Sequence, residues 1–399
     1  MKQQNDCILM LNHLAQEKKK KGEKVINGTI GMMYLDDGSL PIYPSIRSTL
    51  AKHVQDEDLI YSSVAGEEDY RHLLINWFWG NHFEEALTSK NMKVISTLGG
   101  TGAVSIAIRE STLKNGLLLL PALAWPNYQT MANCNKAPFV FYDNFNEKNG
   151  FNIEGIKDLI EKAIGKYTCV SLIVNDPCQN PTGFCMSKKE WSDLVELLNE
   201  YTKKISISLI FDVAYIDFAD DISRKYIADS VKALDKSITS YICMSFSKTF
   251  SFYGLRIGAL AIYSKDKNAV EEEDLDCRML ARSYWSTPNH MAMNSVSDLL
   301  HDEASVKILR DDIRKNKELV LKRSKIFLKE AQENGLSWYP YGAGFFVSVK
   351  VKDANKVADN LAKKNVFIAP IRDDVLRVAI CCMPTDQVYG VAKLIKDAQ

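Results

Sequence analysis

From about residue 94 onward, short apolar runs rich in β-branched residues alternate with amphipathic stretches. The runs are Val94 to Thr97, Leu117 to Leu120, Phe139 to Tyr142, Val170 to Asn175, Ile205 to Phe211, Tyr241 to Ser245 and Ala259 to Tyr263. Strands buried on both faces read as continuous apolar runs, and helical crossovers between them impose a parallel order. The pattern predicts an α/β fold, with a mostly parallel seven-stranded sheet flanked by helices. After Pro288 the character changes: a long helical pattern covers Asp302 to Glu333, and strand candidates follow at Phe345 to Val351, Val366 to Pro370 and Leu376 to Ile380. These predict a smaller α+β domain. Roughly forty N-terminal residues are too few to fold alone and are assigned to it. The small domain is then discontinuous, residues 1–42 plus 301–399, around a large domain of residues 43–300.

Composition narrows the classes of function. A chain of 399 residues with 46% hydrophobic content is long enough for two such domains. The 50 basic residues balance 50 acidic ones, so nothing draws the chain to a polyanion or an anionic bilayer, and neither nucleic acid nor membrane is expected as a partner. The longest apolar stretch, Gly116 to Pro126, falls well short of the about 20 residues that cross a bilayer. Near the N-terminus, the apolar run Cys7 to Leu11 precedes the lysines Lys18 to Lys21, the reverse of a secretory signal, so a cytoplasmic location is expected. The lysine block itself reads as a solvated helix end. The nine cysteines form no CxxC pair, and the six histidines lack ligand-like spacing to them, so no disulfide framework or metal site is expected.

Candidate chemistry gathers where the strands end. Leu98-Gly99-Gly100-Thr101-Gly102 is a glycine turn opening a helix, whose free N–H groups and dipole suit a phosphate. The next is Asp176-Pro177-Cys178-Gln179-Asn180-Pro181-Thr182-Gly183, a turn that holds Asn180 at a carboxyl edge, where open α/β sheets bind ligands. Asp212 and Tyr215 follow the strand Ile205 to Phe211. A carboxylate after so apolar a run needs a partner, and a protonated heterocyclic nitrogen would serve. Last come Ser245-Phe246-Ser247-Lys248 and, eight residues on, Arg256. Lysine forms Schiff bases with aldehydes once its pKa falls, while a hydroxyl and a guanidinium complement a phosphate.

In this order the segments resemble the fold type I pyridoxal-phosphate enzymes, and among them the class I and II aminotransferases, over almost the whole chain. The resemblance implies pyridoxal 5'-phosphate as cofactor, bound through its aldehyde to Lys248, with Asp212 on the pyridine nitrogen and Tyr215 and Asn180 on the phenolic oxygen. It implies a phosphate held by Gly99, Gly100, Thr101, Ser245 and Arg256, and by Tyr61 reaching from a second subunit of a homodimer. Trp125, in Ala124-Trp125-Pro126-Asn127-Tyr128, matches the ring-stacking aromatic of the aspartate and aromatic amino acid branch. Ile30 and Gly31 would close over the substrate, Arg377 would take its α-carboxylate, and Arg282 would take a distal carboxylate from across the dimer. The implied activity is a ping-pong transfer of an amino group between an aspartate-, glutamate- or aromatic-type L-amino acid and a 2-oxo acid. A β-lyase, a decarboxylase or a cofactor-binding regulator are the alternatives. The sequence departs from the family pattern at Gly99, where relatives often carry serine, at Asn175, where histidine is common, and at Cys178.

Overall fold

The computed structural model describes residues 2–113 and 115–399, the first five of them by backbone alone. Its strands are β1 (Ile26–Gly28), β2 (Met92–Leu98), β3 (Gly116–Pro121), β4 (Phe139–Tyr142), β5 (Cys169–Asn175), β6 (Ser206–Asp212), β7 (Thr239–Ser245), β8 (Ile257–Tyr263), β9 (Ser337–Trp338), β10 (Phe346–Lys350), β11 (Val366–Arg372) and β12 (Val375–Ala379). Each of the seven apolar runs from Val94 onward became a strand.

Seven of them form a sheet in the order β2-β8-β7-β6-β5-β3-β4. Its pairings are parallel except those of β8, which runs antiparallel to both β2 and β7. This single reversal positions the site. The other strands finish at one edge, with Leu98, Asn175, Asp212 and Ser245, and β8 begins there, bringing Arg256 to the same edge. Helices cover both faces, because the strands are apolar on both. Ile95, Leu118 and Ile210 pack on one side with Ile106; Leu119, Leu172 and Leu209 pack on the other with Trp191. The helix carrying Trp191, Lys188–Tyr201, starts with a capping box in which Ser187 and Glu190 satisfy each other's backbone N–H groups.

The second sheet has the order β1-β11-β12-β10-β9. Its strands β10 to β12 lie where the apolar pattern placed them. Too short to show a period, β1 and β9 were not foreseen. The pairing of β1 with β11 is parallel, which draws the N-terminal segment onto the C-terminal sheet. The helix α1 (Lys2–Lys20) ends in the lysine block, as read, and its Leu11 and Ala15 pack on Phe367 of β11. A helix at Glu303–Glu333, N-capped by Asp302, serves both cores. Leu309 and Ile313 join the first, Phe327 and Ala331 the second. No described helix is long and apolar enough to cross a membrane.

Candidate active site

At the shared strand edge lies a cavity of about 520 Å³. It brings together Ile30, Gly31, Gly100, Thr101, Trp125, Asn180, Asp212, Tyr215, Ser245, Lys248, Arg256 and Arg377, residues spread over most of the chain.

Lys248 stands in a short helix, Phe246–Thr249, directly after β7. Its Nζ donates to the carbonyl of Gly31 at 2.5 Å and sits 4.8 Å from the ring centre of Tyr253 and 5.9 Å from that of Tyr215. Among the described residues no carboxylate forms an ion pair with it. Burial, assisted by the positive charges of Arg377 and Arg256, pulls its pKa down to about 8. Gly31 is needed for this approach, because a Cβ there would stand 2.7 Å from the Phe346 ring.

Asp212 ends β6 and is buried. Its Oδ2 accepts the Tyr128 hydroxyl at 2.5 Å, and its Oδ1 accepts the Ala214 N–H at 3.0 Å. Burial raises its pKa, against the lowering effect of those two donors. Asn175 ties the neighbouring strand ends together: its Nδ2 donates to the Asp212 carbonyl at 2.9 Å, and its Oδ1 accepts the Asn180 N–H at 2.8 Å. Asn180 in turn offers its side-chain oxygen to Arg377 Nη1 at 3.3 Å. Arg377, on β12, donates through Nη2 to the Thr29 carbonyl at 2.6 Å and lies 4.4 Å above the Phe346 ring. Its buried Nε makes no hydrogen bond to the described residues.

The opposite end of the cavity is built for an anion. The helix Gly99–Thr112 begins as β2 ends, and Gly99, at φ +67, has Arg256 against it; a Cβ there would meet Nη2 at 2.6 Å. The Arg256 guanidinium is fixed by the Tyr253 carbonyl at 3.0 Å and the Ser247 hydroxyl at 3.1 Å. Helix N–H groups, a guanidinium and the Ser245 hydroxyl thus converge, the donor set a phosphate takes.

Three of the residues singled out from the sequence do not line the cavity. Gly99 lies behind Arg256. Tyr61, 87% exposed, and Arg282, exposed with Nη1 on Ser286 Oγ at 3.0 Å, sit on the surface. The segments carrying them touch: Ser62 Oγ donates to the Pro288 carbonyl at 3.2 Å, and Asn294 to Asp58 at 2.9 Å. Sequence reasoning passed over Tyr128, Tyr253 and Phe346, and also Ile8 and Leu9 of α1, all of which line the cavity. Tyr128 had a faint signal, as it follows Trp125 within one helical turn.

A family profile described as "Aminotransferase class I and II" matches residues 23–395. The aromatic-amino-acid aminotransferase of Escherichia coli strain K12 is 24% identical over 310 residues, covering 75% of this chain and 74% of that protein. Among solved structures, an aminotransferase from Anaerococcus prevotii superposes with a TM-score of 0.93 at 28% identity, covering 98% of this chain and 96% of the other. An aromatic-amino-acid aminotransferase from Burkholderia pseudomallei, covalently bound to pyridoxal phosphate, gives 0.79 at 19% identity, covering 98% and 96%.

Proposed function

Because the chain belongs to the class I and II aminotransferases and is therefore a pyridoxal-phosphate-dependent transaminase, we propose that Lys248 both holds the cofactor's aldehyde and moves the proton at the substrate's Cα. The residues fit that cofactor. A phosphate would suit Gly100, Thr101, Ser245 and Arg256; a protonated ring nitrogen would supply the cation that buried Asp212 lacks; Asn180 and Tyr215 would suit the phenolic oxygen, and Trp125 the ring face. When bound, pyridoxal phosphate supplies an electrophilic carbonyl carbon and a ring that withdraws electrons from the substrate's Cα.

Within the chain the division of labour follows from charge. Arg377 clamps the α-carboxylate with its planar fork, orienting the Cα–H toward Lys248 Nζ. Lys248, its pKa lowered to about 8, would take that proton as general base and return it as general acid to the cofactor's former aldehyde carbon, two atoms away. Asp212 would keep the cofactor's ring nitrogen protonated, the Tyr128 and Ala214 donors counter the rise that burial gives its pKa, and Ile30 and Gly31 would exclude water. The observation that carries the reading is the convergence of Lys248, Asp212 and Arg377 in a cavity with a phosphate cradle at one end.

Two subunits complete the site in this reading. Tyr61 reaches a neighbour's phosphate and Arg282 a neighbour's acidic substrate, and the exposed apolar residues beside them, Leu59, Ile60, Leu275 and Met279, supply a homodimer interface. Residues 43–300 form the large domain and 1–42 with 301–399 the small one, bridged by the helix Glu303–Glu333. Cysteines that stand as free thiols accord with a cytoplasmic setting. The test is the visible absorption of the protein with pyridoxal phosphate, for wild type and Lys248→Ala. A lysine-dependent band that aspartate or phenylalanine bleaches and 2-oxoglutarate restores supports transamination. A band independent of Lys248, or donors consumed without any 2-oxo acid, overturns it.

A further inference from the structure

Two cysteines flank the turn that carries Asn180, and the proposed reaction uses neither. Cys178 opens the turn and Cys185 closes it, with their sulfurs 4.0 Å apart. The turn is pinched at its base: the Gln179 N–H donates to the Phe184 carbonyl at 2.9 Å, and the Cys178 N–H reaches Cys185 Sγ at 3.3 Å. The two cysteines are thus the facing pair just outside the Gln179–Phe184 bond. Gly344 makes room for Cys178, since a Cβ there would stand 2.5 Å from the Cys178 Cβ. Cys178 is buried and Cys185 half-buried, so a solvent-borne oxidant meets Cys185 first. Burial pushes the Cys178 thiol up, which keeps it protonated until a partner is at hand. Adjacent Cys381 and Cys382 instead direct their thiols at the carbonyls of Met32, at 3.5 Å, and Asn27, at 3.0 Å.

The same turn backs the carboxylate clamp. The Asn180 N–H donates to Asn175 Oδ1 at 2.8 Å, and its side-chain oxygen accepts from Arg377 Nη1 at 3.3 Å. Beyond it, the Pro181 carbonyl accepts Ser348 Oγ at 2.8 Å and the Gly183 carbonyl accepts the Gly342 N–H at 2.8 Å. A disulfide holds its sulfurs about 2 Å apart, so closing it brings these two nearer by roughly 2 Å. Part of that approach falls on the backbone at Cys178, which already stands at φ +61, where residues other than glycine are uncommon. Asn180, two residues along, shifts with it, and its long bond to Arg377 has little length to spare.

We propose that Cys178 and Cys185 form an oxidisable dithiol site that takes hydrogen peroxide and, once joined as a disulfide, weakens the hold of Arg377 on the substrate's α-carboxylate. The Cys185 sulfur attacks one peroxide oxygen and the O–O bond breaks, giving a sulfenic acid and one water. The Cys178 sulfur then displaces the hydroxyl: the S–S bond forms, the S–O bond breaks, and the Cys178 proton leaves with it as a second water. Two thiols are oxidised and one peroxide is reduced. The effect on turnover rests on the transaminase reading; the dithiol does not. The test treats holoenzyme with hydrogen peroxide, maps the linked peptides, and measures kcat and KM for aspartate and phenylalanine before treatment, after it, and after dithiothreitol. Wild type should show a link between Cys178 and Cys185 and a KM raised about tenfold, the worth of one hydrogen bond to a charged group, with dithiothreitol restoring it. Cys185→Ser and Cys178→Ser should keep their KM under peroxide, while Cys134→Ser, a change at an exposed thiol, should respond as wild type does. A map without that link overturns the site. A link with KM unchanged, or an equal rise in Cys185→Ser, overturns its hold on the clamp. If reduced wild type turns over no donor, the transaminase reading falls and the map alone decides: the linked peptide supports the dithiol, and its absence overturns it.

Discussion

Lys248 has a free-base form within reach of neutral pH, since burial and then the charges of Arg377 and Arg256 bring it to about 8. Below that value it is an ammonium and cannot attack a carbonyl carbon; above it the amine is free. The rate at which cofactor-free protein captures pyridoxal phosphate should therefore rise with pH and level off past about 8, and a flat profile between pH 6 and 9 would contradict this. The Tyr128 hydroxyl bond to Asp212 counters the upward push of burial on that carboxyl. Tyr128→Phe should raise the Asp212 pKa, move the acid limb of the kcat profile to higher pH and lower kcat about tenfold at pH 6, in line with the loss of one hydrogen bond to a charged group. An acid limb that stays in place would show that Asp212 does not govern it. Of this pair only Asp212 was legible in the chain, for it ends an apolar run where a charge is conspicuous. Tyr128 lies in a helix from another crossover, and nothing local indicates that β3 and β6 place it against that carboxylate.

At the level of elements, strand ends were legible because a continuous apolar run followed by glycine, proline or a charged residue marks them. The reversal of β8 was not, since an apolar run does not reveal its direction, yet that reversal brings Arg256 to the site. β1 is hidden for another reason: three residues carry no period, and its partner β11 lies far along the chain. A buried arginine in the helix Glu303–Glu333 was equally invisible, as charges in a long amphipathic helix normally face water. Arg323 is fully buried and donates to the carbonyls of Tyr34 at 2.8 Å and Cys381 at 3.0 Å, and to Asp36 at 2.6 Å. It fastens the segment after β1, which continues from Ile30 and Gly31, to the C-terminal sheet. Arg323→Met removes these three hydrogen bonds, leaving Asp36 to Thr385 and the Cys381 carbonyl to the Tyr34 N–H, and should cost about 3 kcal/mol in urea unfolding. A loss under about 1 kcal/mol would mean that water replaces the clamp.

For the whole molecule, the proposed function has Tyr61 and Arg282 meet the site of a second copy. Sedimentation should show a dimer at micromolar concentration, and Tyr61→Phe should weaken cofactor affinity about tenfold, the worth of a charge-assisted hydrogen bond. A fully active monomer would refute the shared site. The bond from Arg377 to the Thr29 carbonyl spans 348 positions, and it has a consequence for biosynthesis. A chain still on the ribosome can complete the seven-stranded sheet, and with it much of the phosphate cradle, before β11 and β12 emerge. The N-terminal segment, made first, must then wait nearly the whole length of translation for its partner strand. Its apolar Leu11 and Ala15 lack their Phe367 partner until then, and Arg377 reaches the cavity in the same final docking event.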